Sequence, residues 1–162
     1  MIGQVYLNGG NLIMDGKIIS GCNANNLPAE SGFPASSARS GLSVVGNSDA
    51  TITGGTISAS FPGSSNSYSL NIGEGNSRIK VWGGAFQGDW SVSSVASSGN
   101  VIDVHGQTLG LGGNRLVGTL CDGSRIEVYI KDQFGADYTP AAGTLNLLDC
   151  SNFPVIVCNS NV

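Results

Sequence analysis

Apolar residues recur along this chain in short alternating runs broken by glycine, and one six-residue pattern repeats. It reads apolar, any residue, Gly, a small or polar residue, any residue, apolar. Met14-Asp15-Gly16-Lys17-Ile18-Ile19, Ile52-Thr53-Gly54-Gly55-Thr56-Ile57, Val81-Trp82-Gly83-Gly84-Ala85-Phe86 and Val104-His105-Gly106-Gln107-Thr108-Leu109 are four copies. Leu7-Asn8-Gly9-Gly10-Asn11-Leu12 fits as well. From Met14 the copies step by 38, 29 and 23 residues. Such spacing predicts stacked solenoid coils with loops of unequal length.

Period-two alternation between the glycines predicts strands. Leu42-Ser43-Val44 leads to Ala50-Thr51-Ile52 and then Thr56-Ile57. Leu70-Asn71-Ile72, Ile79-Lys80-Val81 and Ala85-Phe86 form the next series. Trp90-Ser91-Val92, Val101-Ile102-Asp103-Val104 and Thr108-Leu109 follow, and Val5, Leu7 and Leu12 open the chain. Three short strands per coil give the three faces of a parallel β-helix. Its corners need positive φ, which Gly supplies, and Asn47-Ser48, Asn76-Ser77 and Gly99-Asn100 fall at equivalent corners. Residues 22–41 have no periodicity and read as a protruding loop, with 61–67 a smaller one at the matching place. The expected organisation is one domain: coils over 1–109 carrying the inserted loop 22–41, then a terminal coil and capping region over 110–162, including strands at 125–130, 143–148 and 154–157.

Composition narrows this picture. Charged residues make up 11% of the 162 residues, against ~25% in ordinary domains. Glycine, serine and asparagine take their place, which suits many tight turns. Net charge is −4 and the seven basic residues are scattered, so no cluster stands ready to neutralise a run of phosphates. No apolar stretch is long enough for a membrane-spanning helix. The N-terminus lacks the basic and apolar parts of a secretory signal, and the early first repeat suggests a mature or excised piece of a longer chain. Cys22, Cys121, Cys150 and Cys158 show no CxxC spacing. Two disulfides in an oxidising compartment are expected, with Cys150–Cys158 as a local clip and Cys22–Cys121 as the remainder, one of three possible pairings. No Asn-x-Ser/Thr glycosylation site occurs.

The segments "SDATITGGTISAS", "SRIKVWGGAFQG", "LVGTLCDGSRIEV" and "GTLNLLDC" resemble the repetitive β-helix modules of secreted and cell-surface proteins, among them autotransporter-like adhesins and PEP-CTERM-type surface proteins. The likeness covers roughly residues 42–149 and rests on structural motifs. It implies secretion, a right-handed parallel β-helix (β-solenoid) and an architectural or adhesive role. It carries no catalytic residues to transfer. The cysteines depart from the bacterial pattern.

Candidate chemistry is sparse. A glycosidase needs paired carboxylates, whereas Asp15, Asp49, Glu74, Asp89 and Asp103 occur singly, with Asp15 and Asp103 the pair best placed to approach. His105 occupies the repeat position of Thr53 and Trp82, where a surface stack with Trp82 is expected rather than catalysis. Trp82, His105 and Tyr68 are the candidate glycan-binding residues; Trp90, first considered with them, reads better as core. The Gly-Gly pairs lack the P-loop lysine, no calcium-binding nonapeptide repeat is present, and only Thr51-Ile52-Thr53 offers a threonine pair of the ice-binding kind. The expectation is an all-β, right-handed parallel β-helix with an irregular C-terminal cap, needing no metal or cofactor and leaning away from enzymatic activity. Its expected role is an extracellular structural module that self-assembles into a filament, coat or surface layer, with contacts through 22–41 and 150–162. A carbohydrate-binding or adhesive module is the alternative, and a polysaccharide lyase or hydrolase the second. Expected partners are further copies, other surface proteins or a polysaccharide, not nucleic acid.

Overall fold

The computed structural model describes residues 5–16, 18–20, 40–58 and 68–154. These residues hold fifteen strands and no helix. The chain runs through β1 (Val5–Asn8), β2 (Asn11–Met14) and β3 (Ile18–Ser20), then β4 (Ser40–Val45), β5 (Asp49–Ile52) and β6 (Thr56–Ser58). A third round is β7 (Tyr68–Ile72), β8 (Arg78–Val81) and β9 (Ala85–Gln87), and a fourth begins with β10 (Asp89–Val92) and β11 (Val101–His105). Each round places one strand in each of three sheets, except that the fourth gives none to the third sheet. The first sheet begins β1-β4-β7-β10, the second contains β2-β5-β8-β11, and the third is β3-β6-β9. All these neighbours are parallel.

Register explains why the repeat exists. Met14, Ile52, Val81 and Val104, the first apolar residue of each copy, are direct partners across the second sheet. In the first sheet Val5, Leu42, Leu70, Trp90 and Ile130 form one row, and Leu7, Val44, Ile72 and Val92 another. From Leu42 onward these first-sheet residues are fully buried. These rows put apolar residues beside one another across parallel neighbours, and burying each aliphatic side chain is worth roughly 1.5–3 kcal/mol. Leu7 belongs to the first-sheet row, so the stretch Leu7–Leu12 is a different corner and not a fifth copy.

The corners are joined by their own polar ladder. Ser48 Oγ accepts from the Gly9 amide at 2.8 Å, Ser77 Oγ from the Ser48 amide at 3.2 Å, and Asn100 Oδ1 from the Ser77 amide at 3.1 Å. These three side chains are buried and answer donors that the turns would otherwise orphan. Asn47 takes φ 59° here, the one non-glycine residue with positive φ among the described residues.

Beyond β11 the pattern changes. β12 (Gly110–Gly112), β13 (Arg115–Thr119) and β14 (Arg125–Lys131) are antiparallel to one another. β14 joins the first sheet parallel to β10, and β15 (Leu145–Leu148) joins the second parallel to β11. The two ends of the stack therefore differ. β1, β2 and β3 belong to one round and form the outer strand of every sheet at that end. At the other end the first sheet continues three strands past β10, the second one strand past β11, and the third stops at β9.

Two expectations change at this level. Ser40 and Gly41 open β4 and do not belong to the 22–41 loop, because Ser40 and Leu42 pair with Tyr68 and Leu70. The rest of that loop, 61–67, the 155–162 tail, Cys22 and Cys158 lie outside the described residues. The disulfide present is Cys121–Cys150, with Cα atoms 5.6 Å apart, so neither expected pairing stands. The turn after β13 and the end of β15 meet through pairing of distant strands, which cysteine spacing does not encode.

Candidate functional site

The third copy of the repeat ends β8 on Val81, and Trp82 follows it at the corner. His105 ends β11 one strand further along. Their rings stack, with centroids 3.4 Å apart and planes 12° from parallel. The stack expected at this repeat position is thus present, but it is not an open platform. Trp82 is only 6% exposed, and Phe153 leans on it at 5.8 Å. His105 Nδ1 is 2.8 Å from the carbonyl oxygen of Asp149.

A clasp surrounds this stack. Asp122, at the turn between β13 and β14, accepts from the Gly84 amide at 2.8 Å. The same carboxylate accepts from the Ser124 amide and hydroxyl at 2.8 and 2.9 Å. A side chain at Gly83 would collide with Asp122 and with the Thr53 carbonyl, so glycine there permits the close approach. The neighbouring Cys121 is bonded to Cys150, and Asp149 beside it accepts from the Ser151 hydroxyl at 2.6 Å. That hydroxyl, then the Ser151 amide, holds the Asp149 carboxyl below its ordinary range, with His105 adding to the effect. The cluster joins the C-terminal strands to β8 and β11.

The third proposed glycan residue lies elsewhere. Tyr68 begins β7 in the first sheet and is 3% exposed, so it does not join Trp82 and His105 in a sugar platform. Trp90 is fully buried, as expected of a core residue, and meets Phe86 edge to face at 5.1 Å. Asp103 has Lys80 and Asn146 as its strand partners and accepts from the Asn146 amide at 2.9 Å, so Asp15 is not its neighbour. Among the described residues no three His, Cys, Asp or Glu side chains converge as a metal site.

A different site emerges on the outer side of the first sheet. An open groove of about 460 Å³ crosses the C-terminal ends of its parallel strands. Tyr6 and Asn8 of β1 line it at one end, Glu74 after β7 near the middle, and Ser93 after β10 and Gln133 after β14 at the other. Val45 gives it an apolar patch. Gln133 is fixed by its Oε1, which accepts from the Ser94 amide at 2.9 Å and hydroxyl at 3.0 Å. Sequence reasoning missed this site. Alternation in Val5-Tyr6-Leu7-Asn8 marks Tyr6 and Asn8 as outward, but their convergence with Gln133 needs the strand order β1-β4-β7-β10-β14.

Comparison with protein-family models, with curated proteins and with solved structures finds no match to this chain.

Proposed function

We propose that this chain is an extracellular structural module, a right-handed parallel β-helix that assembles with further copies through its β1–β3 end. The observation that carries the reading is the difference between the two ends. At the β1–β3 end the outer strands of three sheets belong to one round, and among the described residues none pairs with their outer edges. Val5, Leu7 and Leu12 of the inward rows are only partly buried there, whereas their partners Leu42, Val44 and Ala50 are fully buried. An unpaired edge with part of its core in reach of solvent is a template for another chain. The opposite end is staggered, and there the first sheet is extended by the antiparallel strands β13 and β12, which makes it a poorer template.

The Cys121–Cys150 bond supports an oxidising, extracellular setting. Contact between the same edge on two copies closes at a pair. Contact between that edge and another surface propagates into a filament or layer. Light scattering and electron microscopy of the non-reduced protein over a concentration series test the reading. Mass is expected to rise with concentration, and Ile13→Lys, on the outer face of β2 at 69% exposure, is expected to hold the protein monomeric without unfolding it. A wild-type chain that stays monomeric throughout would sink the assembly reading.

A further inference from the structure

We propose that the groove across the first sheet binds a neutral oligosaccharide laid along the axis of the stack. This goes beyond assembly, because the groove lies on the side of the stack and reaches well past the β1 edge. Its first polar residues are on β1 and its last follows β14, so it crosses five neighbouring strands. At ~4.8 Å per strand, four steps span roughly 19 Å. An extended chain of several sugar rings matches that length, and a single small metabolite does not.

The lining chemistry points the same way. Asn8 and Gln133 bring amides, Ser93 a hydroxyl, Glu74 a carboxylate, and Tyr6 a ring that is 39% exposed. Sugar hydroxyls both donate and accept, which suits amides and a carboxylate, and their C–H faces suit an aromatic ring beside Val45. Gln133 is already oriented through its Oε1, so its Nε2 hydrogens remain as donors held in place by Ser94. Among the described residues no cationic side chain lines the groove, and Glu74 is the one charge there. An acidic polysaccharide would be repelled with nothing to neutralise it. An extended peptide fits less well, because it would cross the faces of strands rather than pair with an edge, leaving its backbone groups unmatched.

The test is titration of the full chain with cellohexaose, xylohexaose and the hexamer of N-acetylglucosamine, with hexagalacturonate as the acidic comparison, followed by NMR and calorimetry. At least one neutral hexamer is expected to bind and to shift the signals of Tyr6 and Gln133. Tyr6→Ala and Gln133→Ala are each expected to weaken that binding about tenfold, the scale of one aromatic or amide contact. Glu74→Lys, at an exposed position, is expected to leave the melting temperature unchanged and to admit hexagalacturonate. Failure of all three neutral hexamers would overturn the proposal. So would shifts confined to residues outside the groove, or wild-type binding of hexagalacturonate as tight as that of the neutral chains. Gln133 and Glu74 lie off the β1 edge, so a binding defect there with assembly intact separates this proposal from the assembly reading.

Discussion

In the described residues of 40–104 the same position in successive rounds carries the same kind of side chain, whereas residues 105–154 are fastened, to one another and to the first region, by contacts that occur once. The first region has apolar rows in register, such as Leu42, Leu70 and Trp90, and a repeated corner ladder through Ser48, Ser77 and Asn100. The second region has one disulfide, one Asp122 hook, one Trp82–His105 stack and ion pairs on β13 and β14. Repetition spreads stability over many similar contacts, each of which any one change reduces only locally. Single contacts concentrate it, and several of them respond to redox state or pH. The difference teaches where this fold is robust and where it can be opened.

The largest effect is expected in the repetitive region. Trp90→Ala removes a fully buried indole from the row between Leu70 and Ile130 and should cost about 3–5 kcal/mol in chemical denaturation. Trp90→Phe should cost clearly less. The Trp90 Nε1 hydrogen is buried with no acceptor among the described residues, so phenylalanine keeps much of the packing and removes an unsatisfied donor. Equal costs for the two variants would show that a phenyl ring restores none of the packing and that the fit of the whole indole sets the stability here.

Next comes the disulfide. It closes a separation of 29 residues, for which loss of the cross-link is worth about 3.6 kcal/mol on a chain-entropy estimate. Cys150→Ser should therefore loosen β15 and the turn after β13. Amide exchange in β4 and β7 should be left nearly unchanged. If protection in β4 and β7 fell by the same amount, the two regions would unfold as one unit, and the contrast between them would be lost. Asp122→Ala is a milder probe of the same boundary. It removes the acceptor of the Gly84 amide and should cost about 1 kcal/mol, with the change seen in Trp82 fluorescence.

The same contrast explains what was readable from the chain alone. Period-two alternation between Gly-Gly pairs locates β5, β8 and β11, and the alignment of Ile52, Val81 and Val104 is their true register. Trp90 as core and the Trp82–His105 stack were legible because both follow from repeat position. A pattern with no repeat gives no register, so the meeting of Cys121 with Cys150 was not legible. Nor was the burial of Trp82, which depends on Phe153 and on the Asp122 turn. Tyr68, a candidate glycan contact by residue type alone, sits in a strand buried along both faces. The groove was hidden for the same reason as the disulfide. Gln133 reaches it only because β14 skips back to lie beside β10.

The smallest effect, and the finest test of the contrast, is acid. Glu127, Asp137 and Asp149 all lie in residues 105–154, and each carboxyl is held below its ordinary range. The causes differ: the Arg115 hydrogen bond for Glu127, the Lys131 hydrogen bond for Asp137, and the Ser151 hydroxyl for Asp149. A carboxyl lowered in the folded state adds stability that is complete above its unfolded pKa and is lost as pH falls through the folded value. The loss should thus begin near the ordinary carboxylate range, about pH 4, and continue below it. Arg115 and Lys131 are shifted upward, so their share is lost only in strong alkali. Amide exchange followed from pH 6 down to pH 2 should rise first in β13, β14 and the turn at Ser151, ahead of β4, β5, β7 and β8. Added salt should flatten the response at Glu127 and Asp137, which rest on exposed ion pairs, and leave more of it at Asp149, which rests first on a neutral hydroxyl. Simultaneous loosening of β4 and β7 with β13 and β14 would mean that the repetitive stack depends on its C-terminal fastening after all.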